Sequence, residues 1–132
     1  MTKNIKEVTA RLDSDLGVKY SFDLIHRKLI IGGREAALYF IDGFIKDEVF
    51  EKIIEFFFKI TPYELLDFPD MTAFSKIKMP YVEVDTAYDY DTIETAILSG
   101  PAVLVIDGVK GGLIIDTRTY PSRSIEEPQK DR

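Results

Sequence analysis

Two pairs of apolar, β-branched runs hinged on glycine constrain this chain more than any other feature. Residues 22–31 and 36–41 flank Gly32-Gly33, and residues 102–106 and 113–115 flank Asp107-Gly108 and Gly111-Gly112. Tight two-residue turns need positive φ, which glycine supplies without a steric penalty, so each pair predicts a β-hairpin. An isolated hairpin is marginal in water, so these strands must share a sheet and bury a face against helices.

The helices are legible from periodicity. Ile5, Val8, Leu12 and Leu16 draw one stripe down residues 4–16, with Gly17 as the stop. Asp47 is placed to cap a helix running to about Lys59, in which Val49, Phe50, Ile53, Ile54, Phe56, Phe57 and Ile60 cover more than half the circumference. Residues 61–79, with Pro62 and Pro69, read as an irregular connection with a helical turn or two. Residues 81–85 alternate as a strand, and Asp91 with Glu94 predicts a capping box for a short helix through Leu98. The predicted fold is α/β, a mixed sheet of about five strands including two hairpins, packed with three or so helices. Residues 1–118 form the domain, and 119–132 read as a polar tail or linker.

Function classes fall away in turn. The absence of cysteine removes disulfides, thiolate metal sites and cysteine nucleophiles. A net charge of −6 and a pI near 4.8 argue against nucleic acid and anionic lipid, which need a basic footprint. Charges interrupt every apolar run before the roughly 20 residues that span a bilayer, and the N-terminus lacks the apolar stretch of a secretory signal. The lone histidine, His26, reads as a strand side chain at the surface or rim, with no nearby serine or carboxylate arrangement that would mark a base or a metal ligand. Asp85, Asp89 and Asp91 lack the spacing of a calcium loop, with capping accounting for Asp91 and a turn for Asp89. Asp42, Asp107 and Asp116 each have a turn or strand-end explanation, which leaves no carboxylate pair for hydrolysis. The glycine pairs match neither GxxxxGK[ST] nor GxGxxG. Ile-Asp-Gly ends two apolar runs, at 41–43 and 106–108, which turn chemistry explains. No enzyme, metal or cofactor is expected.

The segment Leu98-Ser99-Gly100, then residues 103–108 (Val-Leu-Val-Ile-Asp-Gly), Asp116-Thr117-Arg118 and residues 123–128 (Arg-Ser-Ile-Glu-Glu-Pro) resembles the GerA family of spore germination proteins. Ile31-Gly32-Gly33 with residues 38–43 resembles an earlier block of the same family, so the resemblance covers roughly residues 20–128. Residues 80–84 and 118–123 are more similar to its SpoVAF branch than to the nutrient-receptor A subunits. The resemblance implies a soluble fragment, the first cytosolic N-terminal subdomain of a longer protein on the spore-core side of the inner spore membrane. A second subdomain and membrane spans would follow, and only those spans would contact the membrane. It further implies other subunits of a germination complex as partners, homo-oligomers of the full-length protein as channels, and a role in assembly or in coupling the germination signal to ion release. Candidate interaction residues are Arg118, Arg123, Glu126 and Glu127 in the tail and Phe56 and Phe57 on the aromatic helix. The rival expectation is a small-ligand module sensing a germinant, which needs a concave site lined by Tyr and Phe with a few placed charges.

Overall fold

The structure is a computed structural model that describes residues 1–20, 23–77, 79 and 82–117. Arg118, Arg123, Glu126, Glu127 and the whole 119–132 segment therefore lie outside the described residues.

Helix α1 (Ile5–Leu16) starts at Asn4, whose side chain accepts from the Lys6 and Glu7 amides, and stops at Gly17 in the left-handed conformation. Strands β1 (Leu24–Ile31) and β2 (Arg34–Ile41) form the first expected hairpin. Its turn places Gly32 at φ 55° and Gly33 at φ 79°, both in the region open to glycine. Helix α2 (Asp47–Phe58) follows, then two one-turn helices, α3 (Pro62–Leu65) and α4 (Met71–Phe74), in the expected irregular connection. Strand β3 (Glu83–Ala87), helix α5 (Tyr90–Leu98) and the hairpin of β4 (Ala102–Ile106) and β5 (Val109–Asp116) complete the described chain.

The strands form one five-stranded sheet in the order β1-β2-β4-β5-β3, and every pairing is antiparallel. Five strands, two hairpins and three long helices match the expectation. Three local assignments differ. The cap of α2 is Lys46, with Asp47 inside the first turn, where its charge favours the helix dipole. The cap of α5 is Asp89 instead of Asp91, because Asp89 bonds both the amide and the hydroxyl of Thr92. Gly111-Gly112 lies inside β5, since Asp107-Gly108 alone makes the turn and the register shifts between Leu104 and Ile106.

Helices cover both faces of the sheet. On one face Val49, Ile53 and Phe57 of α2, Leu65 of α3 and Met71 and Phe74 of α4 bury Leu29, Ile31, Leu38, Leu104, Ile106 and Leu113. On the other, Ile5, Val8 and Leu12 of α1 and Ile93 and Ile97 of α5 bury Leu24, Ala37, Tyr39, Val103 and Val105. The central strand β4 is consequently buried at every residue, which explains why 102–106 is continuously apolar and does not alternate.

Candidate interaction surface

The side chains that bear chemistry gather mainly where α1 meets the sheet. His26 is 13% exposed, more enclosed than a rim position, and its Nδ1 lies 2.9 Å from Asp13 Oδ1. A carboxylate only accepts, so this contact puts the proton on Nδ1. The Tyr39 hydroxyl donates to the same Asp13 oxygen at 2.7 Å, and the His26 and Tyr39 rings stack at 4.6 Å. Burial, reinforced by the Asp13 bond, holds the Tyr39 hydroxyl far above the ordinary phenol range. Asp13 is thus the carboxylate partner that sequence reasoning missed. It stands 13 residues from His26, on a different element, and no local spacing rule joins them. The trio fastens α1 to the β1–β2 hairpin.

A second polar cluster joins α1 to α5. Arg11 Nε donates to Asp15 Oδ2 at 2.6 Å, and the Arg11 guanidinium lies 4.5 Å over the Tyr90 ring. Glu94 faces Asp15. Its Oε2 is buried and meets no donor. A hydrogen bond between the two carboxyl groups therefore requires a proton, and desolvation together with that bond pushes Glu94 up to about 7. Asp15 moves below the usual carboxylate range, held first by the Glu94 bond and then by Arg11.

Three other carboxylates do local work. Asp107 Oδ1 accepts from the Ile5 amide at 3.1 Å, so the second Ile-Asp-Gly anchors the start of α1. Asp85 Oδ1 accepts from the Thr86 amide at 2.8 Å. Hydrogen bonds from Thr92 hold Asp89 below its ordinary range. Among the described residues no cluster of His, Asp or Glu could hold a metal ion, and no helix is long and apolar enough to cross a membrane.

The aromatic helix divides its phenylalanines. Phe57 is fully buried, because it points from α2 into the sheet-facing core, so it offers no surface for a partner. Phe56 is half-buried against that core, with its ring centroid 6.1 Å from that of Phe57. The exposed member is Phe58, at 58%, which lines an open groove with Lys6, Thr9, His26, Lys28 and Ile30 along the β1 edge. A shallower groove at the opposite edge of the sheet is lined by Glu83, Asp85, Ile114 and Asp116.

Residues 10–132 match the family described as Bacillus/Clostridium GerA spore germination protein. Stage V sporulation protein AF of Bacillus subtilis strain 168 is 26% identical over 122 residues, covering 89% of this chain and 24% of that protein. Spore germination protein B1 of the same strain is 44% identical over 39 residues, 30% of this chain and 8% of its own length. This chain thus spans about a quarter or less of those relatives. The crystal structure of the N-terminal domain of the A subunit of the Bacillus megaterium spore germinant receptor GerK3 superposes with a TM-score of 0.73 at 20% identity, over 89% of this chain and 48% of that one. At that identity the likeness is one of fold.

Proposed function

Because the chain belongs to the GerA family of Bacillus/Clostridium spore germination proteins, we propose that it acts as a non-catalytic N-terminal subdomain that serves subunit assembly or passes the germination signal toward ion release. The observation that carries this reading is the fold match. Nearly all of this chain superposes on about half of a receptor A-subunit N-terminal domain, as one subdomain of two would. In this reading residues 1–118 are the first subdomain and 119–132 lead to a second. The domain lies on the cytosolic, spore-core side of the membrane, and its partners are other germination subunits and further copies of the full-length protein. The chemistry agrees: His26, Asp13 and Tyr39 satisfy one another, Asp107 braces the start of α1, and Asp89 caps α5. The germinant-binding alternative needs a concave aromatic site. The described grooves are open; the one along β1 mixes apolar and charged side chains around one Phe, Phe58, and Tyr39 is buried beneath α1.

The test uses the full-length protein in its spore former. Deleting residues 1–117 is expected to leave membrane insertion intact and to abolish co-purification of other germination subunits or the germinant-triggered release of ions. Spores that assemble the complex and germinate normally with the deletion would refute the proposal.

A further inference from the structure

The sheet ends in two edges of opposite charge. Among the described residues β1 has one strand neighbour, β2, and β3 has one, β5. Arg27 and Lys28 are exposed on β1, and Lys6 lines the groove beside them. Glu83 and Asp85 are exposed on β3, where Glu83 pairs with Asp116 in register. In a chain of net charge −6, a basic edge runs against the overall sign.

We propose that β1 of one copy of this chain docks against β3 of a second copy, so that the two edges form a self-association contact. This deepens the assembly reading above by naming its surface. The backbone is arranged for it. The Asp42 amide donates to the Asp23 carbonyl at 2.6 Å, which sets the phase of the β1–β2 ladder. His26, Lys28 and Ile30 therefore turn their amides and carbonyls outward. On β3 the Thr86 amide is held by the Asp85 side chain instead of by β5, so Val84 and Thr86 face outward there. Ile30, 60% exposed, and Phe58 border the basic edge and add apolar area to cover.

Charge decides the partner. Edge lysines commonly serve only to block pairing. Blocking alone does not account for one edge being basic and the other acidic. Two β1 edges would set Arg27 and Lys28 against their own kind, and two β3 edges would do the same with Glu83 and Asp85; like charges across a strand pair destabilise it. Between the strands themselves only the unlike pairing is attractive; the acidic neighbours on the β1 side lie off the strand, Glu35 in the groove along it and Asp47, Glu51 and Glu55 of α2 in a groove with Arg27. Successive antiparallel neighbours leave β1 and β3 running the same way, so copies related by rotation about the strand direction pair in parallel. The contact is heterologous, and its rotation decides whether the assembly closes or extends.

Light scattering and sedimentation of the 132-residue chain test this directly. The mass is expected to rise with concentration and to fall back in about 0.5 M salt, where screening leaves a range under about 5 Å. Arg27→Glu with Lys28→Glu, and separately Glu83→Lys with Asp85→Lys, should each weaken association about tenfold or more. Mixing the two variants one to one should restore it, because each then offers the edge the other lacks; circular dichroism confirms that both are folded. A chain that stays monomeric at millimolar concentration and low salt overturns the proposal, as do variants that associate like the parent. Either result removes this contact and leaves the deletion assay to decide the assembly reading.

Discussion

Replacing Glu94 with glutamine is expected to stabilise the protein at alkaline pH and to flatten its stability profile. Glu94 lies among Asp15 and Arg11 of α1 and Tyr90 and Asp91 of α5, and desolvation with the Asp15 bond lifts it from 4.5 to about 7. A folded-state value above the unfolded one means that the proton favours the fold. The contribution is complete below about pH 4.5 and is lost as pH rises through about 7. The full difference corresponds to about 3 kcal/mol. Glu94 keeps part of its surface in solvent, so screening reduces this to on the order of 1–2 kcal/mol. Asp15 acts in the opposite sense, because its lowered value adds stability that disappears only as pH falls below about 4. Glutamine mimics the protonated acid and keeps an amide donor for Asp15. Urea titrations at intervals from pH 5 to 8 should show the parent losing about 1–2 kcal/mol while Glu94→Gln stays level, with a midpoint temperature about 5 °C higher at pH 8. Parallel profiles for the two proteins would refute the reasoning, since any other titrating group acts equally on both.

Phe57→Ala should destabilise the fold by about 3–5 kcal/mol and Phe58→Ser by less than about 0.5 kcal/mol, measured by denaturant titration, because only the first leaves a cavity. Gly111→Ala should cost about 1–3 kcal/mol: φ is 98°, and a Cβ there would come within 2.6 Å of the Tyr88 ring and 3.0 Å of the Ala87 carbonyl. A thermal midpoint unchanged from the parent would show that the backbone relaxes there. Asp89→Ala should lose about 1 kcal/mol through the α5 cap while Asp91→Ala loses less, a ranking that a pair of urea melts decides.

Elements set by local rules were legible in the sequence, and contacts set by topology were not. The stripe of Ile5, Val8 and Leu12 and the turn glycines Gly32 and Gly33 announce α1 and the first hairpin, because helical period and positive φ are properties of neighbouring residues. Asp89 and Asp91 are both good capping residues, and only the position at which the backbone leaves β3 chooses between them. Gly111-Gly112 read as a turn because a glycine pair that admits close backbone approach within a strand looks the same in sequence. Phe56, Phe57 and Phe58 are chemically alike, and which of them is core depends on how α2 is rotated over the sheet. The His26–Asp13–Tyr39 trio and the opposed edge charges join residues that share no short spacing. They become visible only once strand order is known.

That strand order bears on how the protein opens. β1–β2 and β4–β5 are local hairpins, yet they meet only where β2 pairs β4, at contacts such as Tyr39 with Val103. The intervening chain carries α2, α3, α4, β3 and α5, so this seam closes the longest loop in the sheet and its formation bears the largest loop entropy. The Asp107 amide bonds the Glu35 carbonyl, which places Ala37 and Tyr39 in hydrogen-bonded pairs with Val105 and Val103. Those central amides should exchange with deuterium only when the whole domain unfolds, whereas His26, Lys28 and Ile30 on the free edge should exchange from the native state. The seam is thus the latch that makes two sequence-local halves one cooperative unit.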